Sequence, residues 1–207
     1  MISRLPFATP FVYSTKGVSV VSKKSQELRD RIKKSDVQLF QQIAVHIEEL
    51  VAQGKFPGFF GADVSLVPVP GHAPLAPGAV STAERIAQAL AARGLGAVSP
   101  LLKRASRVIK SAWARGPDRP RAKQHFESMT MERSLIRPHR VVLIDDVVTR
   151  GATFLGAASR VQSEVTDAEI RALALMRAIT DREVEAIRDP VVGAIELDGS
   201  GESWRRP

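Results

Sequence analysis

The sequence predicts an α/β fold with three layers, a mainly parallel sheet and helices on both faces. Three observations predict it. Residues 141–144 (Val-Val-Leu-Ile) are an unbroken, β-rich apolar run, the pattern of a strand buried in a parallel sheet. A second such run at 63–69 is followed by a helical pattern and a third, shorter run, the order that gives a right-handed crossover. The run at 141 leads through a small-residue turn into an apolar-periodic segment, residues 154–161, so strand again precedes helix.

Taken in order, residues 7–21 carry Pro, aromatic and β-branched side chains and read as an edge strand or a hairpin around Lys16-Gly17. Residues 22–34 are polar and helix-compatible. Asp36 is placed to cap a helix that runs to about residue 52, because Phe40, Ile43, Ala44, Ile47 and Leu50 recur at three- and four-residue spacing. Gly54 and Pro57 close it. The strand at 63–69 ends in Pro68-Val69-Pro70-Gly71-His72, a turn at the sheet's carboxyl edge. Ser81 or Thr82 opens a helix carrying Ile86, Ala87, Leu90 and Ala91, which stops at Gly94 and Gly96. Residues 97–102 are a short strand interrupted by Pro100.

Residues 103–123 hold Lys103, Arg104, Arg107, Lys110, Arg115, Arg119, Arg121 and Lys123 against one acid, Asp118, with Gly116, Pro117 and Pro120 among them. Their periodicity is poor, and they read as a long basic loop of the kind that closes over a site. A solvated charge run and a nucleic-acid patch around Trp113 are the competing readings. Residues 125–129 re-enter the sheet region, and 169–178 form another apolar strand. A short helix at 182–187, a last strand at 191–197 and a Gly-rich tail from 199 complete the chain. The simplest division is a helical extension at 1–60, a core at 61–180 and a C-terminal extension at 181–207.

The 207 residues contain no Cys, which removes disulfides, a thiol nucleophile and a Cys-based metal site. The four His are scattered without metal spacing. No apolar run reaches transmembrane length, and the first ten residues, with one basic residue and Pro6, do not read as a signal peptide. The expectation is a soluble cytoplasmic protein with no membrane partner. A net charge of +8 and a pI near 10.3 favour anionic partners, either a polyphosphorylated small ligand or nucleic acid.

The most informative stretch is 141–153. After the apolar run come Asp145 and Asp146, then Val147-Val148, then Thr149-Arg150-Gly151-Ala152-Thr153. A helix start behind a Gly turn offers backbone N–H groups and a positive dipole end, so it holds a phosphate. Thr149 and Thr153 add hydroxyl donors, and Arg150 adds charge. The two carboxylates cannot bind the same phosphate and suit ribose hydroxyls or a cation. The implied ligand is a sugar phosphate.

This pattern resembles the 5-phosphoribosyl-1-pyrophosphate (PRPP) motif of type I phosphoribosyltransferases: four apolar residues, two acids, two apolar residues, then Thr-x-Gly-x-Thr. Receiver domains and haloacid-dehalogenase-like phosphatases also place acids after a strand. The former do so at their first strand, and the latter need Asp-x-Asp where position 147 is Val. Val67-Pro68-Val69-Pro70 is similar to a segment of the ComF-like branch of competence proteins. The departure at Arg119-Pro120-Arg121 leaves the branch open.

The resemblance implies a phosphoribosyltransferase-like fold and transfer of phosphoribose to or from a nucleobase or amine, with pyrophosphate leaving. It implies that Asp145 and Asp146 take the ribose and that Thr149, Arg150, Gly151, Ala152 and Thr153 take the 5-phosphate. It further implies that Pro70, Gly71 and His72 face the pyrophosphate. Arg104 and Lys110 are the leading catalytic cations beside the acid pair. Mg²⁺ is the expected cofactor, held on ligand oxygens rather than by the protein. The expected partners are PRPP and an acceptor that the sequence does not name, with a homodimer as one assembly. The alternative is a PRPP-binding regulator that binds nucleic acid through residues 103–123.

Overall fold

The structure is a computed structural model and describes residues 1–109, 120–132, 138–180 and 182–206. The first half of the chain gives β1 (Arg4–Ser14), α1 (Val20–Lys33), α2 (Val37–Ala52), β2 (Val64–Pro68), α3 (Thr82–Ala91), β3 (Ala97–Val98) and β4 (Leu102–Arg104). The second half gives α4 (Ala122–Glu127), β5 (Met129–Met131), β6 (Arg140–Val148), α5 (Ala152–Glu164), β7 (Glu169–Ile179), β8 (Arg188–Leu197) and β9 (Ser203–Arg206). A seven-stranded sheet runs β3-β2-β6-β7-β1-β8-β9, and β4 pairs with β5 in a separate ribbon.

The sheet is mostly parallel. β3, β2, β6, β7 and β1 run the same way, and β8 and β9 form an antiparallel margin. The register aligns the strand ends: Pro68 lies opposite Ile144, Val148 opposite Arg177, and Ser14 opposite Ile179. The exits of β2, β6, β7 and β1 therefore share one edge, where open α/β sheets place ligands.

Strand alternation explains why β6 is apolar on both faces. Val142 and Ile144 join a core cluster with Ile43 and Ile47 of α2 and Ile86 and Leu90 of α3. Val141 and Leu143 join a second cluster with Leu155, Ala158 and Val161 of α5. Leu143 is fully buried, and truncating such a side chain to Ala costs roughly 2–5 kcal/mol. The caps also follow the sequence. Asp36 Oδ1 accepts from Leu39 N at 3.0 Å, and Ser81 Oγ accepts from Glu84 N at 3.0 Å.

Several elements differ from expectation. β1 is not an edge strand; it is paired on both sides, parallel to β7 and antiparallel to β8. Residues 125–129 do not re-enter the sheet directly, because His125 sits in α4. Residues 182–187 form bends rather than a helix, and Glu183 there braces the entry to α1, which Ser19 caps, by accepting from Val18 N, Ser19 N and Ser22 Oγ. The expected tail folds back as β9.

Candidate functional site

The exit of β6 is built for a close turn. Gly151 is the N-cap of α5 with φ +91°, a left-handed conformation that costs glycine little. A Cβ there would sit 2.5 Å from Ile195 Cγ2, so the position also excludes a side chain on grounds of space. No side chain caps α5. The amides of Ala152, Thr153 and Phe154 have no acceptor within the helix, and the positive dipole end lies at the same place.

A cavity of about 230 Å³ opens at this helix start. Asp145, Val147 and Val148 of β6 and residues 149–154 line one part of it. Tyr13 at the end of β1, with Arg29 and Lys33 of α1, lines another. Pro120 and Arg121, with Gly201, Glu202 and Ser203 from the β8–β9 hairpin, complete it. The structure thus brings Asp145, Thr149, Arg150, Gly151, Ala152 and Thr153 around one space.

The two acids are not equivalent. Asp145 is half-buried and lines the cavity; its Oδ1 accepts from Asp146 N at 2.8 Å. Burial first, and then the neighbouring Asp146 carboxylate, push the Asp145 carboxyl well above the ordinary range, while Lys33 pulls it back. Asp146 is buried, is not among the lining residues, and forms an ion pair with Lys33 at 2.6 Å.

Arg150 is turned toward the C-terminal hairpin. Its Nη1 lies 3.2 Å from Glu202 Oε2, and its guanidinium stands 4.8 Å from the centre of the Trp204 ring. Arg205 Nε donates to Thr149 O at 3.2 Å, which ties β9 to the turn. Sequence reasoning missed this wall. Its signal is Asp198-Gly199-Ser200-Gly201, a turn sequence between two β-rich stretches. The Asp198 carboxylate accepts from Ser200 Oγ first, then from Trp204 Nε1, Glu202 N and Ser200 N, which folds the hairpin and holds its own pKa down at about 2.

The other predicted residues sit apart from the cavity lining. Arg104 is 5 % exposed and faces inward. Its Nε donates to Gly71 O at 2.7 Å, its Nη2 to Pro70 O at 3.0 Å and its Nη1 to Ser128 Oγ at 2.5 Å. Burial lowers its pKa to about 10, although Asp145 opposes the fall. Pro70 and Gly71 are therefore fastened through their carbonyls, and His72 O accepts from Val108 N at 2.9 Å. Lys110 lies outside the described residues.

His125 is the buried floor of the turn. Its Nε2 lies 3.4 Å from Thr153 Oγ1, and Nδ1 is buried without a hydrogen-bond partner. Burial, and then the Arg104 charge, lower its pKa to about 4, so the ring is neutral at pH 7. Gly156 makes this packing fit, since a Cβ there would come within 2.5 Å of His125 Cβ.

Among the described residues no group of three or more His, Asp and Glu is placed to cage a metal ion. Asp145 and the cavity's open edge suit an ion carried on ligand oxygens and water, as Mg²⁺ is usually held. A scan against protein-family models returns no match, and a search of curated proteins returns none either.

Proposed function

We propose that the protein is a phosphoribosyltransferase of the type I kind, with its PRPP site at residues 145–153. One observation carries the reading. A carboxylate, Asp145, and the uncapped start of a helix, residues 151–154, line one cavity at the carboxyl edge of a mostly parallel sheet. An acceptor for sugar hydroxyls thus stands beside donors for a phosphate.

In the proposed reaction an acceptor nitrogen bonds to the anomeric carbon as the carbon–oxygen bond to pyrophosphate breaks. The electron pair leaves with pyrophosphate, and the nitrogen gives up its proton. Amides at the α5 start bind the 5-phosphate and fix the sugar's position. The carboxyl of Asp145 orients the ribose through its hydroxyls. When bound, Mg²⁺ would neutralise charge on the pyrophosphate oxygens.

Incubation with Mg²⁺, PRPP and a panel of nucleobases and amines, read by pyrophosphate release, tests this. Release with at least one acceptor is expected, as is its loss in Asp145→Asn. No release with any acceptor overturns the transferase reading.

A second reading, PRPP binding without turnover by a regulator of nucleic acid, has one observation in its favour. The Pro70 and Gly71 carbonyls are held by Arg104, and neither residue lines the cavity. PRPP binding without pyrophosphate release, together with nucleic-acid binding that weakens with salt and responds to PRPP, would select it.

A further inference from the structure

Two adjacent carboxylates near the end of β6 suggest two equal sugar ligands, but the structure divides their work. Asp145 lines the cavity. The Asp146 side chain is only 12 % exposed, and its Oδ2 is 2.6 Å from Lys33 Nζ. Lys33 comes from α1, 113 residues away in sequence, and itself lines the cavity beside Asp145. Its side chain is half-exposed and lines the cavity, which puts it within the space a ligand would occupy. An ammonium carries three N–H donors, and Asp146 accepts one of them.

Charge agrees with this arrangement. Burial works against the Lys33 cation, yet Asp146 and then Asp145 outweigh it and hold its pKa above the ordinary value. The other cations compare poorly as ligand donors. Arg150 is engaged by Glu202 and Trp204, Arg121 donates to Ser200 O, Arg104 is engaged by Pro70, Gly71 and Ser128, and Arg29 lies over the Tyr13 ring beside Asp30.

We infer that Lys33 is a ligand-contacting residue of this site and that Asp146 is a positioning residue acting through it. A hydroxyl both donates and accepts a hydrogen bond. Asp145 accepts from the ligand's hydroxyls while the Lys33 ammonium donates to the oxygens beside them. The chemical class is an oxygen-rich anion, a sugar bearing phosphoryl groups, read by a carboxylate–ammonium pair instead of two carboxylates. The inference rests on the pentose-phosphate reading above and assigns its hydroxyl end to different atoms.

Calorimetric titration of PRPP, in the presence of Mg²⁺, into the full chain and four variants tests it: Lys33→Met, Asp146→Asn, the double variant and Lys33→Arg. Lys33→Met is expected to weaken binding about 10- to 100-fold, the range of a charge-assisted hydrogen bond. Asp146→Asn should weaken binding alone but add nothing in the Lys33→Met background. Lys33→Arg should recover part of the loss. Thermal melts check that each variant is folded, and Lys33→Arg keeps the comparison if Lys33→Met is not. An Asp146→Asn effect of equal size in both backgrounds means that Asp146 meets the ligand itself. Wild-type affinity in Lys33→Met removes Lys33 from the site. Either result overturns the inference and leaves the PRPP reading standing. A wild-type chain that binds neither PRPP nor ribose 5-phosphate overturns that reading, and the inference with it.

Discussion

The exits of β2 and β6 are neighbours on the same sheet edge, and both leave through small-residue turns, yet they end differently. After β6 the backbone turns through a left-handed glycine and presents uncapped helix amides to a cavity. After β2 the backbone presents carbonyls, and a buried guanidinium takes them. One turn leaves its amides without a side-chain cap beside a cavity; the other satisfies its carbonyls inside the protein. Position at a strand exit is therefore not enough to make a site, because what decides is where the backbone's hydrogen bonds are satisfied.

The largest effect should come from filling the β6 turn. Gly151→Val places a branched side chain at φ +91° and against Ile195, and should cost roughly 3–6 kcal/mol of stability in a urea melt. Loss of PRPP binding should accompany it. Emptying the β2 turn is the converse experiment. Arg104→Met leaves two carbonyls and Ser128 without their donor, and a loss of about 3–4 kcal/mol is expected. Near-wild-type stability in that variant would mean that the β2 turn is as open as the β6 turn, and the contrast would fail.

His125 lies beneath both turns, between Thr153 and Arg104, and gives a pH test. Its pKa is about 4 in the fold against an ordinary 6.5, so the unfolded chain takes up the proton first as pH falls. The stability it contributes is complete above pH 6.5 and is lost between 6.5 and 4, by about 3 kcal/mol. That part of the acid slope should vanish in His125→Gln, measured by melts across this window. Arg150→Ala should be the mildest change. Its pair with Glu202 is part-exposed, and under about 1 kcal/mol of stability is at stake.

How far the sequence could be read depends on whether a feature is local. The buried β6 run, the helix caps at Asp36 and Ser81 and the left-handed Gly151 all follow from short-range chemistry, and each stands where its residues predict. β1 misled because Pro10 suggests an exposed edge. The β1–β8 register shifts between Thr9 and Phe11, so Pro10 is accommodated at an irregularity inside the sheet. The sign of two-sided burial was present in Phe7, Ala8, Phe11 and Val12, all buried. Lys33 carried no signal of its own. It is one of several basic residues on α1, and only the packing of that helix selects it for Asp146. Arg104 misled for the same reason: charge is legible in a sequence, but its direction is not.

Trp204 stands against Arg150 on the rim of the Gly151 turn and is one of two tryptophans in the chain. With Trp113→Phe in place, a single indole remains, half in solvent, with a guanidinium over its ring. Its emission is then an optical gauge of where that arginine points, so a change in the turn could be followed by light alone, without a labelled ligand.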